Sequence, residues 1–211
     1  MAEPTPSYRE TLLPRLVATA ATILETEGLE AVQARRVARE AECSVGTLYN
    51  VFGDIDGLVI AVNATTLARL GEVVRAGMAA TSGAPLRDRL EALARAYMRF
   101  AIDNQRRWEA VFKHRLPAGR PVPPSYVEDQ TRLLAVLEDA LSAVLAEPER
   151  RAFVARSLFG AVHGIVALSL DERLGGRLRP ELEAQMAFIA ELAARGLAAG
   201  AATAPLTEPR D

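Results

Sequence analysis

An all-α fold is predicted by three observations. Ala, Leu, Arg and Glu, all favourable in helices, dominate the 211 residues. Apolar residues recur at intervals of three and four, and no segment of any length alternates apolar with polar side chains as a half-buried strand would. Residues 1–11 are polar, contain Pro4 and Pro6, and read as a loose tail. Pro14 suits the first turn of helix one, which runs to about Glu27 and stops at Gly28 as its C′ residue. A second short helix fits 33–41, with Glu42-Cys43 as a tight connection. The third runs from Ser44, whose hydroxyl can cap it, to about Val51. Leu48 and Phe52, four apart, share one face, with Val37 and Leu24 as partners.

Asp54 can cap a long fourth helix over 55–80, weakened by Gly57, Gly71 and Gly77 and broken at Ser82-Gly83-Ala84-Pro85. Helix five fits 86–103 and helix six 104–114; the prolines between Leu116 and Pro124 then force a loop. Helix seven fits 125–146, Pro148 opens helix eight over 148–170, and Gly175-Gly176 separates it from helix nine over 179–198. The Ala/Gly/Pro-rich stretch 200–211 reads as a disordered tail. About nine helices result.

Composition excludes several function classes. With one cysteine, Cys43, and two histidines, His114 and His163, the chain has neither a disulfide framework nor the ligands of a structural zinc site, so no metal is expected. Cys43, with no adjacent His or Lys, reads as a small hydrophobe. No Gly-x-Gly-x-x-Gly, Gly-Lys-Ser/Thr or Gly-x-Ser-x-Gly element occurs, so neither an enzyme nor a cofactor is expected. The longest near-apolar run, Phe159 to Leu170, falls short of the ~20 residues of a membrane span. The chain therefore reads as cytoplasmic, with no membrane partner, and its Asn63-Ala64-Thr65 sequon as meaningless. Net charge is −2, but residues 1–57 hold five basic residues against nine acids, which by itself argues mildly against a nucleic-acid partner.

Helix eight is apolar on nearly every face and must be covered on two sides. Phe153, Leu158, Val162 and Ile165, with Leu182, Met186, Ile189 and Ala193 on helix nine, therefore predict the interface of a homodimer, the alternative being a large monomeric core that buries both helices. Phe188 and Leu192 lie beside that stripe. Tyr97, Trp108, Phe112, Phe159 and His163 are candidates to line an apolar effector cavity, each with a plain core role as the alternative. Arg106-Arg107 reads as a solvated face.

Two stretches carry a more specific signal. Leu16 to Gly28, followed by Val37 to Gly53 with its core Val45-Gly46-Thr47-Leu48-Tyr49-x-x-Phe52, resembles the DNA-binding domain of TetR-family transcriptional regulators. Val162-His163-Gly164-Ile165, ahead of a short Asp/Gly loop, is similar to the WHG type of TetR ligand domain, with Phe159 where the family has Trp. The resemblance implies a helix-turn-helix domain over 1–54 and a helical effector-binding and dimerisation domain over 55–199. It implies double-stranded operator DNA and a small apolar or amphipathic effector as partners of the dimer, with repression relieved by the effector.

The residues themselves fit that task. Gly46 lets a phosphate or base edge approach the backbone at a helix start. Thr47 and Tyr49 offer hydroxyls to phosphate, while Ser44, Val45, Thr47 and Asn50 suit a major groove. By resemblance, Gln33 stands where the family meets phosphate, with Arg35, Arg36 and Arg39 beside it. Three departures predict low non-specific affinity: Glu42 replaces the turn glycine, Ile55 replaces a lysine, and Leu12-Leu13 fall where a basic residue precedes helix one. The alternative function is an all-α dimeric small-molecule-binding or scaffolding protein whose helix-turn-helix has lost most of its DNA affinity.

Overall fold

The computed structural model describes residues 8–171 and 179–200, all of whose regular elements are helical. The expected tails at 1–7 and 201–211 and the Gly175-Gly176 break lie outside the described residues. The helices are α1 (Tyr8–Glu27), α2 (Ala34–Glu40), α3 (Val45–Phe52), α4 (Ile55–Ala80), α5 (Leu86–Asp103), α6 (Gln105–Lys113), α7 (Pro124–Leu141), α8 (Pro148–Leu170) and α9 (Arg179–Gly200). A single 3-10 turn, Leu29–Ala31, follows α1.

The chain divides into two compact units, and the division is not the one expected at residue 54. The first unit takes residues 1–68 together with 104–127; the second takes 69–103 and 128–211. Helix α4 is thus common to both, while α6 belongs with the N-terminal helices.

In the first unit, Leu24, Val37 and Leu48 are fully buried in one cluster with Leu12, Leu16 and Leu58, and Phe52, Cys43 and Ile55 pack partly buried against it. The partners expected for Leu48 and Phe52 are therefore present. Ile55, where a lysine was expected by resemblance, serves this core. One expectation fails: α1 begins at Tyr8, so residues 8–11 are helical and Pro14 lies inside the helix rather than in its first turn. Burial of Leu12 carries α1 through the proline, tertiary packing overriding local preference.

Helix α6 is tied to this unit by polar contacts that the sequence concealed. Arg106 donates to the carbonyl oxygens of Glu25, at 3.0 Å, and Thr26, at the end of α1 where carbonyls lack helical partners. Arg107, only 6% exposed, donates to Thr66 Oγ1 (3.0 Å), Thr65 Oγ1 (2.6 Å) and Glu25 Oε1 (2.9 Å). The reading of Arg106-Arg107 as a solvated face is corrected for Arg107; Arg106 remains exposed while bonded to α1. Asn63 is buried and donates its amide to the Ala110 carbonyl at 3.1 Å, which removes the sequon from the surface. At the start of α4, Asp54 caps the helix by accepting from Gly57 N–H at 2.8 Å and is paired with Arg120 of the proline-rich loop. His114 meets Asp56 at 2.8 Å. Gly57 is needed there, because a Cβ would lie 2.1 Å from the Phe52 carbonyl oxygen.

In the second unit α5 packs most extensively on α9, and α8 contacts both. Pro148 opens α8 as expected. Helices α4 and α8 are, by length and composition alone, long and apolar enough to cross a membrane; from Phe153 onward α8 carries Arg156 as its only charged residue. That corrects the shorter apolar run read from the sequence, although core helices of soluble proteins pass the same test.

Candidate DNA-contacting face and effector cavity

The α2–α3 connection is a Schellman turn. Cys43 N–H donates to the Ala38 carbonyl at 2.9 Å and Glu42 N–H to the Arg39 carbonyl at 3.2 Å, which places Glu42 at the left-handed C′ position. Its φ is +52°, and among the described residues no other non-glycine has positive φ. The turn therefore keeps the form a glycine would give it, and Glu42 adopts the left-handed conformation at a cost in strain. Its side chain is exposed.

Ser44 then caps α3 as expected: Thr47 N–H donates to Ser44 Oγ at 3.0 Å, and the two hydroxyls meet at 2.8 Å. Leu48 anchors the inner face. The outer face presents Gly46, Tyr49, Asn50 and Gly53 at helical spacing, with Tyr49 45% exposed and Val45 and Thr47 half-buried at its edge. A Cβ on Gly46 would meet nothing nearer than Ser44 Oγ at 3.6 Å, so glycine is not required there by the protein's own packing.

The charged residues of α2 divide. Gln33 is an exposed N-cap in extended conformation, making no side-chain cap bond. Arg35 is exposed, and Arg39, 76% exposed, makes a 3.7 Å contact with Glu40. Arg36 is instead committed inside the unit, gripping Glu27 of α1 with both terminal nitrogens and Glu40 through Nε at 2.9 Å. It holds the Glu27 carboxyl below its ordinary pKa. The structure thus uses Arg36 as a strut between α1 and α2, which removes it as an uncommitted phosphate ligand.

In the second unit, Val74 of α4, Leu90, Leu93, Ala94 and Tyr97 of α5, Leu133, Leu134 and Leu137 of α7, Leu158, Phe159 and Val162 of α8, and Ile189, Ala190 and Ala193 of α9 line a cavity. It opens to solvent, and the atom-free space it bounds, part of that solvent included, is about 610 Å³. Tyr97 and Phe159 line it as the sequence suggested. His163 stands behind them: its Nδ1 is 2.8 Å from Tyr97 Oη, its ring stacks on Phe159 at 5.6 Å, and burial pushes its pKa below the ordinary value. Trp108 and Phe112 do not line it. They pair ring to ring at 5.1 Å on α6, in the first unit, and Trp108 is buried there.

The eight residues expected at a dimer interface also separate. Phe153 is exposed and Ile165 half-buried; Leu158, Val162, Ile189 and Ala193 line the cavity. Leu182 and Met186 are 2% and 0% exposed, inside the protomer, so they are corrected to core. The outward apolar side chains are Phe153 and Leu168 on α8 and Phe188 (65%) and Leu192 (58%) on α9. The cavity's α5 and α7 leucines went unnamed from the sequence, although the four-residue intervals Leu90–Ala94 and Leu133–Leu137 carried the signal.

Two family models match the chain. One, described as bacterial regulatory proteins of the tetR family, matches residues 16–62; the other, a tetracyclin repressor-like C-terminal domain, matches residues 90–203, more than half of the chain. The chain belongs to the TetR family of transcriptional regulators. It is a DNA-binding regulator with the family's N-terminal helix-turn-helix and helical C-terminal domain. No curated protein matches it in sequence.

Solved structures share the fold. A protein of unknown function from Rhodococcus sp. RHA1 is 23% identical, with 92% of this chain and 100% of that one covered and a TM-score of 0.73. A TetR transcriptional regulator from the same organism is 19% identical over 89% and 97% of the two chains, with a TM-score of 0.60. The fatty acid degradation regulator FadR from Bacillus halodurans is 15% identical over 87% and 98%, with a TM-score of 0.63.

Proposed function

We propose that the protein is a cytoplasmic, homodimeric repressor that binds a near-palindromic operator through α3 and is released by a small apolar or amphipathic effector held in the α5–α9 cavity. The observation that carries this reading is the outer face of α3, where Gly46, Tyr49 and Asn50 are exposed beside the Ser44 cap while Leu48 fixes the helix from behind. Asn50 suits the paired donor and acceptor of an adenine edge, and Tyr49 suits a phosphate. Gln33, Arg35 and Arg39 supply the flanking phosphate contacts. With Arg36 engaged and Glu42 exposed nearby, affinity for random duplex is low.

Phe153, Leu168, Phe188 and Leu192 form the face through which two copies join, since four large apolar side chains left in water on adjacent helices favour burial by a second copy. Two α3 helices then read half-sites about 34–36 Å apart. Effector in the cavity acts by favouring one of two such spacings, transmitted along α4, whose residues 55–68 belong to one unit and 69–80 to the other. The test is selection of bound sequences from random duplexes by wild type and Tyr49→Ala. Wild type should enrich a near-palindrome, and the variant should enrich nothing while remaining a folded dimer. Failure of wild type to enrich a palindrome overturns the reading.

A further inference from the structure

We infer that the cavity of the second unit takes a neutral, largely aliphatic molecule bearing one hydrogen-bonding group seated at Tyr97, and rejects carboxylates and ammonium ions of equal length. The inference rests on the proposal that this cavity is the effector site, and it names the effector's chemistry.

Tyr97 alone among the lining residues carries a polar side-chain atom; the remainder are Ala, Val, Leu, Ile and Phe. An ion entering such a wall sheds hydration with nothing charged to replace it. No cation is among the lining residues, and Arg89 of α5, whose buried Nε has no partner, turns its Nη2 to the Asp139 carbonyl at 3.4 Å. Arg87, Arg95 and Arg99 of α5 are ion-paired with Glu91, Glu183 and Glu191 at 2.8–3.5 Å, so an acidic head at the mouth would compete with carboxylates already in place.

The one polar group adapts in sign. Tyr97 Oη and His163 Nδ1 are 2.8 Å apart, and burial keeps the imidazole neutral at physiological pH. In one tautomer the tyrosine hydroxyl donates to Nδ1 and keeps a lone pair for a ligand donor. In the other Nδ1–H donates to Oη and the hydroxyl proton turns to a ligand acceptor. An alcohol, ketone or ether therefore finds a partner without any net charge entering the site.

Calorimetric titration of the full chain at pH 7.5 with 1-octanol, octanoate, octylammonium and toluene tests this. The octanol is expected to bind at least about 100-fold more tightly than either ion, because each ion must neutralise before entry, across roughly three pH units for a carboxylate. Tyr97→Phe should weaken octanol about three- to tenfold and leave toluene unchanged. Ala193→Phe, which fills the cavity, should abolish both; Ala94→Leu serves if that variant lowers Tm. Octanoate or octylammonium binding as tightly as octanol overturns the inference and leaves the effector-site proposal standing. If none of the four binds, or if both fillers leave octanol binding intact, the proposal falls with it.

Discussion

In the first unit a buried guanidinium, Arg107, has donors meeting Thr65, Thr66 and Glu25; in the second, a cavity lined from five helices is walled by aliphatic side chains, Phe159 and Tyr97. Hydrogen bonds are directional and fix one geometry, whereas aliphatic packing around a void tolerates rearrangement when the void is filled. The unit that must present α3 in one orientation is tied by polar groups. The second unit, where the effector is proposed to bind, surrounds apolar space that is incompletely filled.

That contrast can be broken by experiment, starting with the largest effect. Gly46→Ala should fold as wild type, since the added Cβ meets only Ser44 Oγ at 3.6 Å, yet lose about 2–3 kcal/mol of operator affinity if the DNA backbone approaches there. Unchanged affinity in gel shifts would show that α3 docks elsewhere. Arg107→Ala should destabilise the first unit by about 2–4 kcal/mol in denaturant titration, while octanol binding to the second unit below Tm stays unchanged. Ser44→Ala should cost about 1 kcal/mol through loss of the α3 cap, the bond from Thr47 N–H. Glu42→Gly should raise stability by roughly 0.5–1 kcal/mol, because glycine adopts φ +52° without strain, and should raise affinity for random duplex.

The smallest effect is in pH. Burial lowers the His163 pKa, so below about 6.5 the unfolded chain takes up a proton that the folded chain resists, and stability falls as pH drops. His163→Phe should remove that part of the acid sensitivity in thermal melts between pH 6.5 and 5. The deeper acid loss should persist in the variant. Asp54 and Glu183, held below the usual carboxylate range by Arg120 and Arg95, contribute stability at neutral pH that disappears as pH falls through their lowered values.

What the sequence revealed was chemistry confined to a few neighbouring residues. The Ser44 cap, the Pro148 helix start and the Glu42 turn each depend on positions within five of one another, and each was readable. The cluster of Leu24, Val37 and Leu48 followed from spacing on short helices. Arg107 was misread because its partners, Glu25 on α1 and Thr65 and Thr66 on α4, are distant in sequence. Helix α9 was misphased for a different reason. Leu182–Met186 and Phe188–Leu192 are both apolar pairs four apart, and periodicity does not decide which stripe faces inward. Trp108 and Phe112 stood as cavity candidates with a core role as the alternative, and the excursion of α6 into the first unit, which decides for the alternative, leaves no local mark.

That excursion has a consequence for synthesis. Residues 104–127 leave the ribosome after α5, yet they complete the unit begun by residues 1–68. Until they arrive, the Asn63 amide and the last carbonyls of α1 must rely on water for the partners that Ala110 and Arg106 later provide. The reading head is therefore finished late, and a fragment ending at residue 68 is not a detachable module: grafted onto another protein, it would carry α3 without the helix that closes its core.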